Sequence, residues 1–311
     1  MHFSDFLKKF EKIKVKEYPN QVSSFPKVSI LIQTFEHVDF IDKCVHSILN
    51  QKTDFEYEII LGEDLSSDGT REKCISLAEK HPNHIRLFLH HAGNKIKVDN
   101  FVTGNFNIFY NLIQAKGKYI ALCDGDDYWD DPQKLYNQVN FLENNPSYIL
   151  CFHDYNIISS NKKDAIKLMK PINKDISSQE LQKCQVYPLT NTICFRNIHR
   201  DIPEEILEVF NIDSFWFSIL GGYGGGKYLK SIRPSYYRVH EGGTWTNKNK
   251  AQNFMLKILF FEKLSAFYKK KKYLELSNYH NSQMLMYRKM LTYYYLKRLK
   301  ISMAIKSLYL K

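Results

Sequence analysis

Residues 117–129 read Gly117-Lys118-Tyr119-Ile120-Ala121-Leu122-Cys123-Asp124-Gly125-Asp126-Asp127-Tyr128-Trp129. The run from Tyr119 to Cys123 has the length and composition of a buried strand, and it stops abruptly on the carboxylates of Asp124, Asp126 and Asp127. Two passages upstream have the same form. Val28-Ser29-Ile30-Leu31-Ile32 runs into Gln33-Thr34-Phe35-Glu36, and the stretch from Tyr57 to Leu61 runs into Gly62-Glu63-Asp64. Between them Phe40, Ile41, Cys44, Val45, Ile48 and Leu49 mark one face of a helix, and Asp68-Gly69-Thr70 turns into another that runs through Ala78. A third strand is expected from Ile85 to Leu89 and a helix from Asn105 to Ala115. Strands alternating with helices of about 10–15 residues predict βαβ units, hence an α/β fold with a mainly parallel sheet.

In such sheets the ligand sits beyond the carboxyl ends of the strands. The loops at Thr34–Glu36, Glu63–Asp64 and Asp124–Asp127 are therefore expected to face one crevice. Carboxylates gathered at one edge repel one another unless a cation joins them. Mg²⁺ or Mn²⁺ takes oxygen ligands, usually one or two carboxylates, and leaves positions for phosphate oxygens and water. The spacing suits a metal–diphosphate site.

Farther along, a helix is expected from Lys134 to Asn144 and a strand from Tyr148 to Phe152, and residues 159–184 are polar and weakly patterned, which predicts a mobile loop. Order resumes from Tyr187 to Arg196. Asp213 opens an apolar helix with Phe215, Trp216, Ile219 and Leu220, and Tyr228 to Val239 reads as extended chain ending at His240-Glu241-Gly242-Gly243. Three segments result: a basic, helical N-terminus over 1–26, an α/β domain over 27–246, and a basic, aromatic helical tail over 247–311.

The whole chain has 311 residues and a net charge of +11. Residues 250–311 hold 14 Lys and Arg against Glu262 and Glu275, a balance of +12, so the remainder sums to about −1. A nucleic-acid-binding body is basic across its working face, and this one is not. The six cysteines, Cys44, Cys74, Cys123, Cys151, Cys184 and Cys194, form no close pair in sequence, which excludes a zinc ribbon and a small disulfide scaffold and points to a reducing compartment. No apolar run is long enough to span a bilayer, and no signal-peptide core precedes the domain, so a cytoplasmic protein is expected. Usage of Lys, Asn, Ile and Tyr is that of an AT-rich bacterial genome.

Taken together and in order, Val28 to Ile32, Glu63-Asp64-Leu65-Ser66-Ser67-Asp68-Gly69-Thr70, Gly117 to Trp129 and Tyr237-Arg238-Val239-His240 resemble the family 2 glycosyltransferases with the GT-A fold, over about residues 27–245. The resemblance implies a nucleotide-diphosphate sugar donor, with a UDP-sugar foremost, a Mn²⁺ or Mg²⁺ cofactor, and inversion at the anomeric carbon. It further implies that Thr34 and Glu36 line the nucleotide pocket, that Asp64 bonds the base, and that Asp124, with Gly125, faces the ribose and sugar. Asp126 would hold the metal and His240 would complete its shell. Two loops depart from the family pattern: Thr34-Phe35-Glu36 stands where Thr-Tyr-Asn is usual, and Leu65-Ser66-Ser67 where Gly-Ser-Thr is common.

Inverting transfer needs a general base on the acceptor hydroxyl. The resemblance assigns that role to Asp213, although an Asp at a helix start is also a good N-cap. Trp129, Trp216 and Trp245 are candidates to stack on sugar faces, with core filling as the plain alternative, and Lys97 is a candidate for the diphosphate. Gly221, Gly226 and Lys227 fit the start of a phosphate loop, but Tyr228 stands where Ser or Thr must bind Mg²⁺ and the order is helix then strand. In the tail, apolar Met255, Ile258, Leu264, Met290 and Leu299 alternate with Lys269–Lys272 and Lys297-Arg298, the composition of interfacial helices. This predicts contact with an anionic membrane surface, and a chain ending near Asn247 that still folds. The competing expectations are packing on the domain and pairing into a homodimer. The function expected is an inverting, metal-dependent glycosyltransferase acting on a glycan or lipid-linked acceptor in surface polysaccharide synthesis. The alternatives are a metal-dependent nucleotide phosphohydrolase and a catalytically silent glycan- or nucleotide-binding protein.

Overall fold

A computed structural model describes residues 1–99, 101–159, 171–198, 202–240, 249–299 and 301–308. A helix at Phe3–Phe10 (α1) and a two-residue strand at Lys16–Glu17 (β1) precede the parallel strands. Then follow β2 (Val28–Thr34), α2 (Ile41–Leu49), β3 (Tyr57–Glu63), α3 (Thr70–Lys80), β4 (Ile85–Leu89), the short pair β5 (Lys97–Val98) and β6 (Phe101–Val102), α4 (Asn105–Gln114) and β7 (Tyr119–Leu122). Every strand and helix read from the sequence in this half is present within two residues of its expected ends. The apolar runs are unambiguous because β2 and β3 are covered on both faces, as parallel strands are.

The second half comprises α5 (Lys134–Asn144), β8 (Tyr148–Phe152), β9 (Tyr155–Ser159), α6 (Ser178–Gln182), β10 (Cys194–Arg196), α7 (Ile212–Gly221), β11 (Gly225–Tyr228) and β12 (Ser235–Val239). The eight-stranded sheet has the order β1-β4-β3-β2-β7-β10-β8-β11. β4, β3, β2 and β7 are mutually parallel, while β10 runs antiparallel to both β7 and β8. β12 leaves this sheet and pairs with β9.

The stretch expected to be a loop over 159–184 contains an ordered element. In α6 the Ser177 side chain accepts from the Glu180 amide and Glu180 bonds back to the Ser177 amide, a complete capping box that anchors buried Leu181. Ser-x-x-Glu was visible in the sequence. A helix this short has too little periodicity to outweigh its polar surroundings.

The tail forms α8 (Lys250–Lys270), α9 (Leu274–Leu296) and α10 (Ile301–Leu308). α8 is part of the core: Phe260 is 1% exposed and Leu264 0%, in one apolar cluster with Phe215, Phe217 and Leu31 of the α/β domain. The Tyr268 hydroxyl donates to the Ser218 carbonyl at 3.0 Å and also meets the Ser218 hydroxyl. Ending the chain near Asn247 would expose this face of α7, so the expectation that such a chain folds is corrected. Phe6 of α1 belongs to the same cluster. Glu241, Gly242, Gly243 and Trp245 lie outside the described residues.

Candidate active site

The three loops lie side by side, the Asp64 amide donating to the Thr34 carbonyl at 3.1 Å. β2 and β7 pair in register, so the Gly125 amide donates to the Gln33 carbonyl at 2.9 Å and the acidic turn lies directly against Thr34. Gly125 is required there: a Cβ would stand 2.7 Å from Thr34 Oγ1 and 2.9 Å from His37 Nδ1. The turn is held from the other side by Arg238 of β12, whose amide donates to Asp127 Oδ1 at 2.9 Å and whose Nε donates to the Asp126 carbonyl at 2.8 Å. Asp127 is 1% exposed and also accepts from Asn191 Nδ2 at 2.9 Å. Its role is to fix the turn.

That leaves the Asp126 carboxylate facing two imidazoles. His240 Nε2 lies 3.1 Å from Asp126 Oδ2 and His37 Nε2 lies 3.8 Å from it. One ligand atom from each of His37, Asp126 and His240 falls within 4.8 Å of the others, the donor set of a cation site. Burial holds His37 below the usual imidazole range, which keeps it in the neutral, ligating form near pH 7. Burial opposes ionisation of Asp126, yet the His240 hydrogen bond and the two imidazoles outweigh it and hold that carboxyl below its ordinary value. A carboxylate suits Mn²⁺ or Mg²⁺ and imidazoles suit first-row divalent ions, so these residues can hold a divalent cation.

His37 was missed in the sequence because a single histidine after a strand carries no spacing signal. Its position follows from the loop: Glu36 has φ +56°, in the left-handed region, and the turn is pinned where the Glu36 amide donates to Ser66 Oγ at 2.9 Å and the His37 amide to Thr70 Oγ1 at 2.8 Å. The Glu36 carboxylate accepts from the Ser67 amide at 2.8 Å. Thr34 is 2% exposed, with Oγ1 3.2 Å from His37 Nδ1. Both residues brace the loop.

Asp64 is nearly buried, 3.3 Å from Lys95 Nζ, and burial pushes its carboxyl up to about 6 against that neighbouring charge. Lys95 also lies 3.9 Å from the ring of Phe35, which is 45% exposed. Lys97 is exposed on β5, and no hydrogen bond or ion pair joins it to the other candidates among the described residues. The lysine at this edge is Lys95.

The charge of Asp213, from the opposite half, is felt at the acidic centre. Burial, then the charges of Asp126 and Asp213, push Asp124 up to about 7. Asp213 is not the N-cap of α7, which is Asn211. Its Oδ1 accepts from the Ser214 amide at 2.7 Å, burial raises its pKa, and it is half-buried. The tryptophan expectation is corrected for Trp129: it is 3% exposed, its Nε1 donates to the Asn191 carbonyl at 2.9 Å, and the Lys134 ammonium covers the ring at 4.0 Å. It packs beneath the turn and offers no face to a sugar. Trp216 is 8% exposed and shares with Asp213 a small apolar cavity of about 40 Å³, too tight for a sugar ring.

The glycosyl transferase family 2 model matches residues 29–203. The chain belongs to that family. An uncharacterized protein of Mycobacterium tuberculosis is 28% identical over 221 residues, covering 70% of this chain and 60% of its own length. An uncharacterized glycosyltransferase of Nostoc sp. is 28% identical over 232 residues, 69% of this chain and 65% of that protein. A Campylobacter jejuni GalNAc(5)-diNAcBac-PP-undecaprenol beta-1,3-glucosyltransferase is 35% identical over 104 residues, 33% of this chain and 30% of that one. The chain thus spans about 60% of the length of the mycobacterial relative. Among solved structures, residues 1–349 of S. aureus TarS in complex with UDP-GlcNAc superpose with a TM-score of 0.53 at 14% identity, over 90% of each chain. At that identity the likeness shows the fold, and the fold is GT-A.

Proposed function

We propose that this family 2 chain is a metal-dependent, inverting glycosyltransferase that moves a sugar from a nucleotide-diphosphate donor, a UDP-sugar foremost, to a glycan or lipid-linked acceptor in bacterial surface polysaccharide synthesis. The observation that carries the reading is the cluster of His37, Asp126 and His240 beside Asp124 at the carboxyl ends of β2 and β7, with the charge of Asp213 acting on Asp124 from the other half. Phe35 and Lys95 flank Asp64 at the edge where the base would lie, Phe35 offering a ring to stack on it and Asp64 an acceptor for its N–H. His37, Asp126 and His240 are the residues to hold Mn²⁺ or Mg²⁺. Bound there, the ion supplies positive charge for the departing diphosphate. Asp213 takes the proton of the acceptor hydroxyl as that oxygen bonds to the anomeric carbon on the face opposite the diphosphate, and the C–O bond to the diphosphate breaks with inversion. The raised pKa of Asp213 makes it a stronger base than a solvated carboxylate.

Thermal shifts with UDP-, GDP- and dTDP-sugars plus Mn²⁺ test this: a ligand at 100 times its Kd adds roughly 2.7 kcal/mol, and a flat response to all of them overturns it. A hydrolase would consume donor at full rate without acceptor, and a silent binder would leave donor intact.

No described helix is long and apolar enough to cross a membrane. We place the enzyme at the cytoplasmic face of one. Leu296, Ile301, Met303, Ile305 and Leu308 of α9 and α10 are exposed beside Lys297 and Lys306, which suits an anionic leaflet at about 1 kcal/mol per engaged base. A chain ending at Leu299 is expected to keep donor binding and lose salt-sensitive sedimentation with phosphatidylglycerol vesicles. If the full chain ignores such vesicles at low salt, this placement is wrong, and a concentration-dependent dimer becomes the use for that face.

A further inference from the structure

Ser214, the neighbour of Asp213, lines a cavity of about 300 Å³, and the charge of Asp213 reaches two of that cavity's other residues, Tyr187 and Lys257. That volume is the lower end of the range for small-molecule sites, roughly 300–1,000 Å³. Ser214 at the start of α7, Tyr187 from the segment before β10, and His153 just after β8 form its walls, closed by Lys257 and Phe261 of α8 and Tyr287 of α9. None of Asp64, Asp124 or Asp126 lines it.

Two of its polar groups are only partly satisfied by the protein: the Lys257 ammonium lies 5.5 Å from the centre of the Phe260 ring, and His153 Nε2 lies 3.5 Å from Ser235 Oγ. Lys257 projects from a helix whose neighbouring side chains are core residues, it is half-buried, and no carboxylate lies within 4 Å of its ammonium among the described residues. The charge of Asp213 acts on it from farther away, while burial lowers its pKa. His153 is 2% exposed, and its Nδ1 has no hydrogen-bond partner among the described residues. A half-buried ammonium with no carboxylate in direct contact and a buried imidazole nitrogen without a partner are each costly, and an anionic, hydroxyl-bearing ligand would satisfy both. Rings surround them: Tyr187 stacks on Phe217 at 6.1 Å and Phe261 on Tyr287 at 5.6 Å, which holds the walls rigid.

We propose that this cavity is the acceptor subsite and that it takes an anionic sugar, whose carboxylate or phosphate pairs with Lys257 while a neighbouring hydroxyl bonds His153 and another is presented to Asp213. The tail helices are thus a wall of the substrate site: Lys257 lies in the tail, and Asp213, Ser214 and His153 in the α/β domain. This rests on the glycosyltransferase reading above and adds the charge class of the acceptor.

Saturation-transfer NMR on the full chain with UDP and Mn²⁺ tests it, with methyl α-glucuronide, glucose 1-phosphate and methyl α-glucoside as probes. The two charged probes are expected to bind at least tenfold more tightly than the neutral one, the yield of one charge-assisted hydrogen bond. Lys257→Met should abolish that preference and Lys257→Arg retain most of it, with UDP–Mn²⁺ affinity unchanged in both. Preference for the glucuronide alone assigns a carboxylate, for the glucose phosphate alone a phosphate. Equal binding of all three probes, or a Lys257→Met variant that keeps the preference, overturns the proposal. So does a Lys257→Met variant that slows transfer to neutral and charged acceptors alike, since Lys257 would then serve Asp213 only. Loss of UDP–Mn²⁺ binding in the unmodified chain would instead strike the glycosyltransferase reading itself.

Discussion

The two halves of the molecule are built by different rules. From Val28 to Trp129 each functional loop directly follows a buried parallel strand, so strand, turn and carboxylate are adjacent in the chain. From Tyr148 onward the structure is held together across long separations. Ser218 is bonded by Tyr268, the carbonyl of Asn191 receives the Trp129 indole, and the Gln182 carbonyl meets His280. The proposed donor side can therefore be read from local pattern, whereas the proposed acceptor side depends on how α8 and α9 dock. Perturbing each half should have different signatures: lost chemistry or lost metal on the donor side, lost fold or lost acceptor selectivity on the other.

The largest expected effect falls where the halves meet. Asp213→Asn keeps the bond from the Ser214 amide but cannot take a proton, so transfer should fall by about 10²–10⁴-fold with donor affinity nearly unchanged. Should activity persist while only the melting temperature drops, Asp213 is a helix-start residue and Asp154 becomes the next candidate. Next comes the tail. Phe260→Ala empties a site 1% exposed between α8 and α7 and should cost about 3–5 kcal/mol in urea unfolding. A loss under 1 kcal/mol would mean that α8 docks loosely and that the acceptor half does not depend on it.

The metal cluster sharpens the donor side. Asp126→Ala should remove Mn²⁺ binding in the presence of UDP, measured by calorimetry. His37→Ala should weaken it by about 10–100-fold, the range seen when groups that orient or complete a metal shell are lost. An unchanged Mn²⁺ affinity in His37→Ala would reduce the site to Asp126 and His240.

These cases show where sequence reading stops. Asp124 to Asp127 were legible because a carboxylate run after an apolar strand is a local event. His240 was legible only through its motif, and His37 not at all, since what brings it to Asp126 is the left-handed turn at Glu36 and the hydroxyls of Ser66 and Thr70. Trp129 was misplaced because a tryptophan beside an acidic turn looks alike whether it points out or in, and the Asn191 carbonyl decides the matter. The tail's apolar and basic composition fits both a membrane helix and a docked one. Packing against Phe215 and Phe217 settles it for α8.

A smaller effect should appear with pH. Asp64 titrates near 6 in the folded chain against an ordinary 3.8. The folded state therefore holds a proton that the unfolded chain has already lost, and stability contributed by this group falls as pH rises through that window. If Asp64 bonds the base as proposed, binding runs the other way, because the ionised carboxylate is the stronger acceptor for an N–H. UDP affinity should drop up to tenfold more between pH 7 and pH 5 in the unmodified chain than in Asp64→Asn, where the titration of UDP itself is common to both. Parallel pH profiles would remove Asp64 from base recognition.

The smallest effect concerns the departure at Leu65, where glycine is common in the family. Leu65 has φ +61°, a left-handed conformation that costs a side-chain-bearing residue roughly 1–2 kcal/mol and glycine almost nothing. The turn is enforced from outside: the buried Glu63 carboxylate accepts from the Leu65 amide at 3.3 Å and from the Ser66 amide at 2.6 Å, and Arg71 anchors Glu63 in turn. Because those bonds use backbone amides, they survive replacement of the side chain. Leu65→Gly should therefore relieve the strain, offset by the greater freedom of glycine in the unfolded chain and by loss of a half-buried leucine. A change within about 1 kcal/mol of zero is expected, with UDP affinity intact. A clear loss of UDP binding would show that the Leu65 side chain itself lines the base edge beside Asp64, and would make this departure from the family pattern part of how the chain selects its nucleotide.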